Sequence, residues 1–236
     1  MQRFSIKKWL GQHLAHYLSK QRLGTPSIAL CQPEALRTTL RKGDVLLVEG
    51  NTRFSLAIQY LTQSNWSHSA LCIKNPVDCA PAEPCLVEAD ILEGVRLLTL
   101  DKYTLMPTRI CRPVGLDENE VTQVVSLILA KLGYQYDLQK VSDLVRYLIP
   151  KPPVPESWRR RLIAFGSGDP TRAICSTLIA EAFLAVHYPI LPLIKAEQKD
   201  IYARNYQEWQ RIRKHSLYTP RDFDISPYFQ IIKPMN

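Results

Sequence analysis

The chain has 236 residues, a formal net charge of +8, 46% apolar and 9% aromatic residues. That composition can build a full core, which excludes a disordered chain and a small disulfide-stapled scaffold. No apolar run approaches the roughly 20 residues that span a bilayer, and no export signal is legible at the start, so a cytoplasmic protein is expected, with the membrane surface as the alternative location.

Residues 1–33 carry Arg3, Lys7, Lys8, Lys20 and Arg22 without one acidic residue, five of the eight excess charges. Ile6, Leu10, Leu14, Tyr17 and Leu18 recur at helical spacing beside Trp9, so the segment reads as a basic amphipathic helix and linker. Three readings stand for it: residues 1–22 lie on an anionic membrane, or the helix packs on its own domain, or it is an organelle presequence. The remainder, 34–236, reads as one domain.

Gly43-Asp44 opens a strand at Val45–Glu49, and Phe54–Thr62 reads as a helix with Phe54, Ile58 and Leu61 on one face. Strands are predicted at His68–Lys74, Leu86–Ala89, Val95–Leu100 and Thr108–Arg112, the first pair joined by the proline-rich turn 76–84. Short strands with short connections argue for an antiparallel sheet. Helices follow at Asp117–Leu132, Asp137–Leu148, Cys175–Val186 and Lys199–Lys214. Between them, 150–173 is a proline-punctuated loop bearing Arg159, Arg160 and Arg161, a solvated basic loop or an anion contact. Tyr218–Pro234 reads as an extended tail that adds an edge strand. Strands first and helices after them make the fold class α+β, an antiparallel sheet packed against helices.

Six cysteines, at 31, 72, 79, 85, 111 and 175, show no CxxC pair and no regular framework, which fits a reducing compartment. Cys79 and Cys85 flank the proline-rich turn, where they are two surface thiols or, in an oxidising environment, a bridge. The five histidines have no cysteines at metal-ligand intervals, so no metal and no cofactor are expected.

Cys175 is the best nucleophile candidate. It sits where an irregular segment passes into an apolar helix, and a helix start offers unpaired N–H groups and a positive dipole end that favour a thiolate. His68 and Glu88, each within a short strand, supply a base and a carboxylate to orient it, and the Cys175 N–H can serve an oxyanion. Such a site needs a sulfur that solvent can reach and an imidazole turned towards it. The plain alternative is a buried structural cysteine and a hydrogen-bonded histidine. Cys72 and Cys111 lie within strands, and Cys31 has no visible base. Asp137 reads first as a helix cap, while Gln59 and Tyr60 are candidates to line the cleft.

Gly43-Asp44, Ser55-x-x-Ile58-Gln59, Thr62-x-Ser64-x-Trp66-Ser67-His68, Val87-Glu88-Ala89 and Gly94-Val95 occur in an order that resembles the YiiX-like, circularly permuted branch of the NlpC-type papain-like superfamily. Gly133-x-x-Tyr136-Asp137, Cys175-Ser176 and Thr219-Pro220-Arg221-Asp222-Phe223 continue the likeness, from residue 43 to about 230. In that branch the histidine and acidic strands precede the cysteine helix. The resemblance implies a permuted papain-like fold, with Cys175 as nucleophile, His68 as general base and Glu88 as third polar residue. It implies a cysteine hydrolase of the amidase or peptidase class, cleaving an amide or ester through an acyl-enzyme without a cofactor. A branch resembling lecithin-retinol acyltransferases implies the alternative, acyl transfer or thioester cleavage on a lipid at a membrane surface. A third possibility is a non-catalytic binding scaffold. The expected partners are a peptide, amide or lipid acyl substrate; no nucleic acid is expected, since no aromatic-basic motif accompanies the charge.

Overall fold

The computed structural model describes residues 32–80, 82–90, 93–134, 174–192 and 218–234. Helix α1 (Pro33–Thr39) leads into strand β1 (Val45–Val48), followed by α2 (Arg53–Thr62), β2 (His68–Cys72), β3 (Leu86–Asp90), β4 (Gly94–Leu98), β5 (Thr108–Pro113), α3 (Glu118–Leu129), α4 (Ile174–Ala185), α5 (Pro220–Asp224) and β6 (Phe229–Ile232). The strands form one sheet in the order β4-β3-β2-β1-β5-β6, and every neighbouring pair is antiparallel.

β1 is an unbroken apolar run, Val-Leu-Leu-Val, because both of its faces are covered. Val45 and Leu47 join Leu71, Val87, Val124, Ile128, Ile179 and Phe183 in the larger core, beneath α3 and α4. Leu46 and Val48 join Ala70, Cys72, Leu86, Leu36, Leu40 and Tyr103 in a second core on the opposite face. α3 is fixed at its start by a capping box between Asp117 and Glu120, and it buries Val121, Val124, Val125 and Ile128 at helical spacing. Thr52 caps α2 by accepting from the Ser55 N–H at 3.0 Å. Gly43 holds φ +89°, and a Cβ there would meet Val121 Cγ1 at 2.8 Å, so the turn into β1 admits little else.

The strands at 45, 68, 86, 95 and 108 and the helices at 54, 117 and 175 occur where the hydrophobic pattern puts them. The helix α1 is not among the predicted elements, and three details differ. The Val95–Leu100 strand ends at Leu98 and passes into a 3-10 turn, Leu100–Lys102, because Leu100 and Tyr103 fold down onto the second core. The tail from Tyr218 is not extended throughout: Pro220–Asp224 is a short helix with Pro at its start, buried through Phe223, and only Phe229–Ile232 is the edge strand, beside β5. Cys79 and Cys85 are free and buried rather than surface thiols, because the turn carrying them packs onto the second core, held by Arg37 donating to the Cys79 carbonyl. The helices expected at 137–148 and 199–214, the loop 150–173 with its three arginines, Asp137, Cys31 and the basic segment before residue 32 lie outside the described residues.

Candidate active site

His68 opens β2 and so stands at the end of the sheet, paired with Val48 at the last residue of β1. The register Ala70↔Glu88 between β2 and β3 puts Glu88 on the same face as His68, two residues along. Long side chains span such a diagonal, and His68 Nε2 meets Glu88 Oε2 at 2.6 Å. α4 lies against β2 and β3, and Cys175 in its first turn is electrostatically coupled to the imidazole. With Nε2 engaged by Glu88, Nδ1 is the nitrogen left for the sulfur.

Glu88 is 1% exposed and fully engaged. Oε1 accepts from Arg96 Nε at 2.8 Å and from Lys102 Nζ; Oε2 accepts from the Tyr103 hydroxyl as well as facing His68. Burial alone would raise its pKa, but the hydrogen bond and charge of His68, joined by Lys102, hold the carboxyl well below the usual range. Burial and the adjacent carboxylate push Tyr103 far upward, so it remains a protonated donor.

The electrostatics of Cys175 and His68 follow. Burial works against the thiolate, yet the imidazolium beside it, with hydrogen bonds from His68 and Ser69, brings Cys175 down to about 7. Burial likewise works against the imidazolium, but the thiolate and Glu88 raise His68 to about 10. The other described cysteines go the opposite way: burial raises Cys72, Cys79, Cys85 (to about 11) and Cys111. Cys175 is less open than a nucleophile was expected to be, 4% exposed against 23% for the His68 side chain.

Arg96, Lys102, Tyr103 and Ser69 escaped the sequence reading. Arg96 had a signal, since an arginine in a strand next to a buried glutamate is its natural cross-strand partner, and the register does set Glu88↔Arg96. Lys102 and Tyr103 arrive from the turn after β4, which no periodicity reveals. Gln59 does not present its amide to a cleft: Nε2 donates to the Asn65 carbonyl at 2.8 Å, closing the loop before β2. Tyr60 is half exposed. Asp44 is buried in a bidentate pair with Arg112, at 2.8 and 2.7 Å, which joins α1 to β5. Trp66 donates Nε1 to Asp224 at 3.0 Å, and Arg109 bonds the same carboxylate at 2.5 Å while lying over the indole.

The loop before His68 is tightly filled. Gly50 N–H donates to Ser67 Oγ at 2.9 Å, and a Cβ on Gly50 would lie 2.3 Å from Ser55 Oγ and 2.9 Å from Ser67 Oγ. Ser55 is itself bonded to Thr52 Oγ1, so neither hydroxyl can turn away freely. Gly50→Ala is expected to destabilise the protein by about 1–3 kcal/mol through overpacking, read as a lower midpoint in thermal or denaturant unfolding.

Among the described residues no group of three or more His, Cys, Asp and Glu is placed to hold a metal ion, and no helix is long and apolar enough to cross a membrane. No protein-family model matches the sequence, and no curated protein matches it either. Among solved structures, the crystal structure of metalloprotein yiiX from Escherichia coli O157:H7 superposes with a TM-score of 0.51 at 16% identity, covering 84% of this chain and 98% of that one. The fold is YiiX-like. At that identity the likeness is one of fold, and the YiiX-like fold here is the mixed one described above, an antiparallel sheet with helices.

Proposed function

We propose that this protein is a cysteine hydrolase that cleaves an amide or ester bond through an acyl-enzyme on Cys175, using a Cys175–His68–Glu88 triad on a permuted papain-like scaffold. The observation that carries the reading is that Cys175, alone among the described cysteines, has its thiol pKa lowered, and that the imidazole lowering it is held by a buried carboxylate. With His68 holding the proton as imidazolium, the thiolate sulfur attacks the acyl carbon. His68 then returns the proton to the leaving nitrogen or oxygen as the acyl–heteroatom bond breaks. Water, deprotonated by the same imidazole, releases the acid and restores the thiol. Glu88 fixes the tautomer and supports the imidazolium, and the backbone N–H of Cys175 is the oxyanion donor.

The structural neighbour is described as a metalloprotein, and the triad does not fit a metal. The oxygens of Glu88 already face Arg96, Lys102, Tyr103 and His68, and the positive charges of Arg96, Lys102 and protonated His68 would repel a metal ion. Acyl transfer to a lipid differs only in the acceptor that replaces water, and the basic residues 1–22 favour a membrane-borne substrate.

The pH dependence tests the reading. Below about 7 the sulfur is a thiol; between about 7 and about 10 the pair is thiolate–imidazolium; above about 10 the imidazole has lost the proton the leaving group needs. Alkylation of Cys175 by iodoacetamide, followed by peptide mass spectrometry, is expected to reach half its maximum near pH 7, far ahead of Cys72, Cys79, Cys85 and Cys111. Turnover of acyl probes is expected to be bell-shaped with those two limbs. Alkylation of Cys175 no faster than the buried thiols at neutral pH would favour a binding scaffold over an enzyme.

A further inference from the structure

The hydroxyls beside the candidate nucleophile are arranged as closely as the triad. Ser69 follows His68 in β2 and, by strand alternation, faces the opposite side of the sheet, towards α4. There Ser69 Oγ lies 2.9 Å from Ser176 Oγ, both residues fully buried. Ser176 Oγ is 3.8 Å from Cys175 Sγ, and hydrogen bonding to Ser69 is among the causes that bring the Cys175 thiol down. The hydroxyls of Ser69 and Ser176 thus form a short chain beside the sulfur, starting from the residue next to the histidine.

A hydroxyl has one proton to give and lone pairs to accept with. If the Ser69 proton goes to the sulfur, the Ser69–Ser176 contact can be satisfied only by Ser176 donating to Ser69. Each donation then polarises the next, and the chain ends on the group that becomes anionic. A purely structural serine pair would need no sulfur at its end.

We propose that Ser69 is a positioning residue of the active site: backed by Ser176, it donates to the Cys175 sulfur, holding it towards His68 and favouring its thiolate form. The proposal rests on Cys175 being the reactive thiol, and it adds a second source of thiolate stabilisation besides the imidazolium. The ionisable groups coupled to this sulfur are His68 from β2 and Tyr103 from the turn after β4, and both are bonded to Glu88 from β3, which also holds Arg96 and Lys102. None of these is altered by removing a serine hydroxyl.

The test is the pH profile of Cys175 alkylation in the full-length protein, with thiolate ultraviolet absorbance as a second readout, for wild type, Ser69→Ala, Ser176→Ala and the double variant Ser69→Ala/Ser176→Ala. Ser69→Ala is expected to raise the midpoint by about one pH unit, so that alkylation near pH 6 slows about tenfold while the rate at the alkaline plateau is unchanged. Ser176→Ala is expected to give a smaller rise, since Ser69 keeps its own proton to donate. The double variant removes both members of a buried pair and leaves no orphaned hydroxyl, so it remains folded if Ser69→Ala alone does not, and it is expected to show the full shift. A folded Ser69→Ala or double variant with the wild-type midpoint overturns the proposal. An ordinary thiol midpoint in the wild-type protein overturns the active-site reading beneath it, and the two failures are thereby distinct.

Discussion

Cys175→Ala is expected to lower acyl-probe turnover by about 10⁴-fold or more, leaving only what binding and the oxyanion donor supply. The reason is local. None of the other described thiols is lowered, and Cys72, Cys79 and Cys85 belong to the core on the other face of the sheet. The substitution removes one buried sulfur, a loss on the scale of a methylene at about 1 kcal/mol, so the fold survives and the comparison is clean. Cys175→Ser should fail almost as completely, because an alcohol is far too weak an acid for His68 to ionise by the same contact. Intact-mass detection of the acyl adduct, with circular dichroism as the folding control, reads both variants; turnover retained at the wild-type rate would assign the chemistry to another residue.

Glu88→Ala is expected to destabilise the protein by about 3 kcal/mol or somewhat more, the range seen when one partner of a buried ion pair is removed. It strands the Arg96 guanidinium, Lys102 and the Tyr103 hydroxyl together. Arg96 and Lys102 are 29% and 34% exposed, so water recovers part of the loss and the lower end applies. Glu88→Gln keeps the shape, costs less stability, and is expected to cut turnover by about 10²–10⁴-fold, because the amide neither fixes the imidazole tautomer as firmly nor supports its charge. The acid behaviour separates charge from shape. The folded pKa of Glu88 lies below its unfolded value, so its contribution is complete above about pH 4.3 and is lost as the pH falls towards the folded value. The unfolding midpoints of wild type and Glu88→Gln should therefore converge on acidification below about pH 4, and a constant gap would show that the charge contributes nothing.

Strand and helix positions were legible because the core is built from periodic apolar runs, and β1 announces its double burial by having no polar residue at all. The three positions of the proposed triad were legible as residue types at the ends or middles of such runs. Their meeting was not, because a one-residue slip between β2 and β3 would turn Glu88 to the other face, and only the hydrogen-bond register fixes that. The support around Glu88 was hidden for a related reason: Arg96 depends on register, while Lys102 and Tyr103 depend on how a turn folds back. The short helix at Pro220 carried a readable sign, proline at the first helical position after threonine, but it spans too few residues for periodicity to show. Cys79 and Cys85 look like surface residues because proline-rich turns commonly are; here the turn is drawn inward by an apolar floor.

The indole of Trp66, two residues ahead of His68, is fastened by Asp224, and the sheet is completed on its far side by β6. Both of these supports come from the stretch of described chain that is translated last. A nascent polypeptide that already displays the histidine, the glutamate and the cysteine still lacks the clasp on the histidine's approach, so the proposed site should be completed only late in synthesis.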